Sequence, residues 1–398
     1  MKQAILKAFG ILPLKIKRLN GYENENYLVT AKDAQYIFKT YPSTKNIFSL
    51  INAECHALIH LQKKGGCKTP IPIPFISGEF VKTIDINNEA RCCRMLSFLP
   101  GNFLGDIEPK KSLMANLGVF LADLNQKLDG FHSDAIRARN YEWDLQNLPL
   151  NRKHISAIHD PKQRRIVAYF FQKFDLLVAP CIPELRKAYI HSDFNEWNVL
   201  AEGDQALGLI DFGDMVYSPL INEVATALCY LSYDKDTFFD WTTPFLKAYH
   251  KIIPLKKKEV GLLYYLIATK LCISVCQSAR SRLSQPENKY ASVSEENAWK
   301  MLQRLLVLNP ISVKDHFMHA LGLGKDNTVD LAEKIKTRGR YFSRILSMSY
   351  KQPVYMSGAA FQYMYDGYGN TFLDAYNNIP HVGHSHPKVV AAGQKQMA

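Results

Sequence analysis

The sequence lacks a cysteine framework. Its eight cysteines, at 55, 67, 92, 93, 181, 229, 272 and 276, form no C-x-x-C pair and no regular spacing, so they read as reduced, mostly buried thiols. No secretory leader is expected, because Lys7 and Pro13 interrupt the weakly apolar start from Met1 to Leu14. Long hydrophobic runs are missing: the most apolar stretch, Gly261 to Val275, is too short to span a bilayer and contains Lys270. There are no repeats and no low-complexity tracts. Basic runs are short, Lys256 to Lys258 and the pairs Lys110-Lys111 and Arg164-Arg165, with no basic helix interleaved with aromatics. These absences exclude a disulfide scaffold and argue against nucleic-acid and membrane partners. A soluble, cytoplasmic chain is expected.

What is present is ordinary globular material: 398 residues, 47% hydrophobic, 22% charged and 12% aromatic, which excludes disorder, collagen and coiled coil as the main description. That length allows two or three domains. A formal charge of +12 permits anionic partners, nucleotides among them, without naming one.

The hydrophobic pattern divides the chain. Strands are expected at Tyr27 to Val29 and Gln35 to Tyr41, followed by a helix from Lys45 to Lys63 whose apolar seam is Ile47, Ile51, Leu58 and Leu61. Glu54 takes the remaining seam position, a carboxylate where an apolar residue belongs. More strands are expected around Phe80 to Ile84 and Ala90 to Ser97, until Pro100-Gly101 breaks the pattern. Residues 1–98 therefore read as a small sheet-containing lobe and 99–327 as a mainly helical one. Inside the helical part lie one short β segment, Ala188 to Ile190, and a hairpin of Val199 to Ala201 with Ala206 to Ile210 turning at Gly203-Asp204. Beyond about Asn327 the character changes again, to a basic helix-like stretch and a Gly- and Tyr-rich β-like region.

The hairpin carries the chemistry. His191, Asp193 and Asn198 have H-x-D-x-x-x-x-N spacing, and Asp211-Phe212-Gly213 follows thirteen residues after the Asn. That is the layout of a kinase catalytic loop and metal loop. Antiparallel pairing sets Asn198 opposite Leu209 or Ile210, so Asp193, Asn198 and Asp211 converge at one end. Phosphoryl transfer needs these types: Asp193 as the base for the attacking hydroxyl, Asp211 and Asn198 as oxygen ligands for Mg2+, and His191 as a loop brace. The three-residue spacing alone arises by chance in roughly one chain of this length in fifty, and the correctly placed D-F-G makes coincidence rarer.

A kinase also needs a strand lysine for the nucleotide phosphates and a helix glutamate to hold it. Lys39 ends Tyr36-Ile37-Phe38-Lys39, and pairing it with Glu54 removes the anomaly of an unpaired seam charge, which costs several kcal/mol. The turn before the first strand, including Gly21 and Asn24, has the position of a phosphate-wrapping loop but only one glycine. Asp214, Trp143 and Trp197 are candidates for an amine pocket. Protein kinases are disfavoured, since Ser192 stands where their arginine reads an activation-loop phosphate and no A-P-E segment follows Asp211.

These residues resemble a known family. YIHSDFNEWNVL followed by GLIDFGD is similar to the aminoglycoside phosphotransferase and choline kinase family, in particular the branch of type II homoserine kinases and hydroxylysine kinase, and GYENENYLV, YIFK and MLSFLPG extend the likeness over residues 1–325. The resemblance implies an α+β, bilobal protein-kinase-like fold and a small-molecule kinase using ATP or GTP with Mg2+. It further implies a nucleotide base held near Met95 to Phe98 and Glu223 as a structural acid where relatives often have Asp. Ser192 departs from the Gly of many members.

The tail, residues 328–398, resembles the beginning of class III pyridoxal-phosphate (PLP) aminotransferases, especially phospholyases, over PVYMSGAAFQYMYDGYGNTFLDAYNNIPHVGHSHPKVVAA. The region carrying the cofactor lysine is missing, so PLP would belong only to the absent remainder, as would dimerisation through that part. Such an enzyme expels phosphate from the carbon next to an amine-bearing one. The expected acceptor is therefore an amino alcohol or hydroxy amino acid, 5-hydroxylysine or ethanolamine first, with homoserine or choline as alternatives and an antibiotic or a non-catalytic binding role behind them. His381, His384 and His386 crowd together but have no carboxylate or cysteine close in sequence to complete a metal set.

Overall fold

The computed structural model describes residues 1–19, 24–65, 68–108, 110–203, 205–233, 235, 237–284, 290–324, 330–343, 345–346, 350–375 and 380–397. The chain forms two compact units. The first is made of residues 1–144, 186–231 and 237–254, and the second of 145–185, 232–236 and 255–398. The hairpin of residues 199–209 falls in the first unit and the tail falls with the helices of the second.

The first unit opens with helix α1 (Lys2–Phe9) and strands β1 (Lys15–Leu19), β2 (Glu25–Thr30) and β3 (Gln35–Pro42). Helix α2 (Lys45–Lys64) follows, then β4 (Pro72–Ile73), β5 (Lys82–Ile86) and β6 (Glu89–Ser97). The sheet runs β1-β2-β3-β6-β4, with β5 also on β6. Neither α1 nor β1 was expected from the sequence; β1, KIKRL, breaks its alternation at the adjacent basic pair Lys17-Arg18 and buries little, which weakens the period-2 signal. Side chains alternate across the sheet. Phe38 and its partner Met95 face α1, where Ile5, Phe9, Val29 and Phe75 bury them. Tyr41 and its partner Cys92 face α2 against Ile51 and Cys55. Lys39 and Arg94, also paired, share this second face. Thr44 caps α2 by accepting the Ile47 amide, and Gly65 ends it at φ +71°.

The rest of this unit builds the hairpin's support. A short strand β7 (Asn102–Phe103) pairs with β9 (Val199–Glu202), which pairs with β10 (Gln205–Leu209); β8 (Lys187–Ile190) pairs with β11 (Val216–Pro219). Helix α3 (Lys111–Lys127) packs on the helix Phe238–Ile252 so closely that a Cβ on Gly118 would lie 2.3 Å from the Phe245 carbonyl oxygen.

The second unit is helical, around the helix Lys257–Ser284. The apolar stretch read from the sequence as too short is part of this 28-residue helix, which is long and apolar enough to cross a membrane. It is a core helix here, with 89% of its most apolar window buried inside the protein. The tail contributes a three-stranded sheet, Met356–Ala360, Tyr363–Asp366 and Thr371–Leu373. Its Tyr365 is buried and donates to the Leu306 carbonyl at 2.6 Å, while Asn309 donates to the carbonyls of Asp366 and Asn370. His384 is bonded to Asp374 at 2.7 Å, and among the described residues no three His, Cys, Asp or Glu form a metal-holding group.

Candidate active site

The loop after β8 is held by one buried carboxylate. Glu223, in the first turn of the helix Leu220–Leu231, accepts the His191 amide at 3.2 Å and the Ser192 amide at 2.6 Å. Ser192 has φ +68°, a left-handed conformation that glycine adopts without penalty, which explains why Gly suits this position. His191 is buried. Its Nε2 lies 3.0 Å from the Ile210 carbonyl and its Nδ1 accepts the Asp193 amide at 3.3 Å, so the proton sits on Nε2. Phe212 packs edge-on against the ring at 4.8 Å. His191 thus ties the loop after β8 to the chain entering Asp211.

Asp193 is aimed by two amides. Its Oδ2 accepts Asn198 Nδ2 at 2.7 Å and Asn195 Nδ2 at 2.9 Å, and Asn195 Oδ1 takes the amides of Trp197 and Asn198. With its NH2 group given to Asp193, Asn198 keeps its carbonyl oxygen for a cation. Leu209 pairs with Val199 and the Ile210 amide donates to the Asn198 carbonyl at 2.9 Å. Asp211 therefore follows at the same hairpin end, in a left-handed turn at φ +59°.

Lys39 Nζ lies 3.0 Å from Asp211 Oδ1. This ammonium holds the Asp211 carboxyl down at about 2, below its ordinary 3.8. The expected Lys39–Glu54 pair is replaced: Glu54 Oε2 is 2.7 Å from Arg94 Nη2, both groups being buried. The reason is geometric, since Arg94 stands opposite Lys39 on the next strand and its longer side chain fills the space beneath α2.

One carboxylate and one amide carbonyl, with no group of three acidic, imidazole or thiol ligands among the described residues, suit Mg2+, which binds through one or two carboxylates and completes its shell with phosphates and water. Asp211 and Asn198 would hold it, and the ion would neutralise charge on the transferring phosphoryl group.

The remaining expected residues are placed unevenly. Met95 needs correction as a nucleotide contact, because its side chain is fully buried in the α1 face of the sheet. Phe98, just past β6, is 38% exposed and donates its amide to the Gln35 carbonyl. Asn24 is half-buried at the start of β2, whereas Gly21 lies outside the described residues, as does Asp204 in the hairpin turn. Asp214 accepts the Tyr141 hydroxyl at 2.5 Å, Trp197 lies across Gly105 and beside Phe103, and Trp143 is half-buried in a turn.

Two arginines escaped the sequence reading. Arg139 donates to the carbonyls of Gly213 and Met215 and lies 3.7 Å over the Tyr141 ring, bracing the metal loop. Arg94 had a signal: it interrupts the alternating Cys92 and Leu96 on one face of β6, as Glu54 interrupts its helix seam.

The sequence profile of the phosphotransferase enzyme family matches residues 15–255. Hydroxylysine kinase of Mus musculus is 26% identical over 339 residues, 77% of this chain and 88% of that one. Homoserine kinase of Methylobacillus glycogenes is 24% identical over 244 residues, 60% and 71% of the two chains. Among solved structures, a microcompartment-associated aminopropanol kinase aligns with a TM-score of 0.60 at 16% identity, covering 80% of this chain and 97% of the other. A stretch of 46 residues, 12% of this chain, is 54% identical to the ethanolamine-phosphate phospho-lyase homolog 1 of Caenorhabditis elegans, covering 10% of it.

Proposed function

The chain belongs to the phosphotransferase enzyme family and is a small-molecule kinase acting on a hydroxyl, and from that premise we propose that its acceptor is an amino alcohol or hydroxy amino acid of the 5-hydroxylysine or ethanolamine type. The observation that carries the transfer chemistry is Asp193, fixed by the amides of Asn195 and Asn198 beside the Lys39–Asp211 pair. Asp193 accepts the proton of the attacking hydroxyl, Asn198 keeps that carboxylate pointed at it, and Lys39 steadies the nucleotide phosphates. ATP is the donor in this reading, with GTP as an alternative the screen below separates.

The acceptor class is supported by the likeness to hydroxylysine kinase over most of that protein's length and by the short match to a phospho-lyase homolog. Phosphorylating a hydroxyl near an amine creates the leaving group that a PLP-dependent lyase removes, so a kinase joined to such a sequence is chemically coherent. Trp197, 38% exposed, offers an aromatic face for the acceptor's ammonium. Homoserine is the second reading, favoured by the match to homoserine kinase. The test is a screen of hydroxylated amines with Mg·ATP and Mg·GTP, with detection of the phosphorylated product. Turnover of 5-hydroxylysine or ethanolamine is expected, and turnover of homoserine with neither amino alcohol would reject the assignment.

A further inference from the structure

Arg94 is among the largest side chains buried almost completely, at 2% exposure. A guanidinium cannot shed its charge, so it needs an anion, and the structure supplies one: Glu54 at 2.7 Å, with the Tyr41 hydroxyl accepting from Arg94 Nε at 3.0 Å. Tyr41 lies two residues beyond Lys39 on the same strand, so Arg94 is gripped from β3 and from α2 at once. Burial pushes the Glu54 carboxyl up, and the charges that draw it back are led by Arg94, followed by Arg139 and then Lys39. Lys39 is engaged elsewhere, with Asp211.

We propose that Arg94 is a positioning residue that anchors Glu54, and with it α2, to the sheet independently of Lys39, leaving Lys39 to pass between Asp211 and the nucleotide phosphates. The anchoring half stands on the structure; the passage of Lys39 to phosphate rests on the kinase reading. In this arrangement Lys39 and Asp211 neutralise each other before the substrates arrive.

Amide hydrogen exchange of α2 in the full chain tests the anchor. Lys39→Met is expected to leave exchange at residues 51–61 within about twofold of the unmodified chain, whereas Glu54→Gln and Arg94→Met accelerate it by about tenfold or more. The double variant E54M/R94M, which removes both charges and keeps volume, is expected to recover most of the protection. Acceleration by Lys39→Met equal to that of Glu54→Gln, or no acceleration by Glu54→Gln, would overturn the proposal. Those two variants decide the matter even if Arg94→Met does not fold. Mg·ATP binding by the unmodified chain, measured by calorimetry, reports on the kinase reading separately, so a failure of one is not mistaken for a failure of the other.

Discussion

Replacing Glu223 by Gln isolates the carboxylate that carries the catalytic loop. The side chain is fully buried and receives two backbone amides, from His191 at 3.2 Å and Ser192 at 2.6 Å. A glutamine keeps the shape but retains one acceptor oxygen and turns an NH2 group toward the other amide. One charge-assisted bond, about 1.5–3 kcal/mol, is lost and a buried N–H is left without a partner, about 1–3 kcal/mol. Partial relaxation of the loop brings the expected total to about 2–4 kcal/mol, read by thermal unfolding as a fall in Tm of roughly 2–5 °C for a chain of 398 residues. Because Ser192 is held at φ +68° against its own preference, the loop is expected to shift, and a misplacement of about 1 Å at Asp193 lowers kcat on the order of a hundredfold. Glu223→Asp, one methylene shorter, is expected to fall between the two. A Tm for Glu223→Gln within about 1 °C of the unmodified chain would refute the reasoning, since the expected loss moves Tm by at least about 2 °C at this size.

Three further outcomes follow from the same geometry. Asp211, held at about 2 by Lys39, contributes stability above its unfolded value near 3.8 and loses it as pH falls from about 4 through about 2; in Lys39→Met the folded value rises toward the unfolded one, so this acid-side loss is expected to shrink or vanish, as pH-dependent unfolding curves will show. Gly118→Ala, which aims a methyl at the Phe245 carbonyl from 2.3 Å, is expected to destabilise by about 1–3 kcal/mol, measured by urea unfolding. Ser192→Gly relieves a left-handed residue and is expected to leave stability unchanged or raise it by up to about 1 kcal/mol in the same assay, while Ser192→Val lowers it by about 2 kcal/mol.

The sequence was most legible where one residue type permits one job. The spacing from His191 to Asn198 and on to Asp211 required a shared hairpin end, and the β9–β10 register with the Ile210-to-Asn198 bond provides it. Likewise the interrupted seam of α2 correctly marked Glu54 as a buried charge. Its partner was less legible. Both Lys39 and Arg94 lie on the α2 face, and only the three-dimensional reach of the side chains sends the guanidinium to Glu54 and the ammonium to Asp211. Met95 illustrates the converse: a position near the expected base-binding segment, but on the opposite sheet face, where alternation commits its side chain to the core. The bracing of the metal loop by Arg139 and Tyr141 depends on a contact across more than seventy positions of chain, for which local pattern gives no warning.

The central claim is that Asp193, aimed by Asn198 and set beside the Lys39–Asp211 pair, is the base for phosphoryl transfer. Single-turnover transfer of labelled γ-phosphate from Mg·ATP to the best acceptor, compared between the unmodified chain and Asp193→Asn, tests it most directly. The expected result is a fall in transfer rate of about 10²–10⁴-fold with ATP affinity changed by less than about threefold. An undiminished rate in Asp193→Asn would contradict the account.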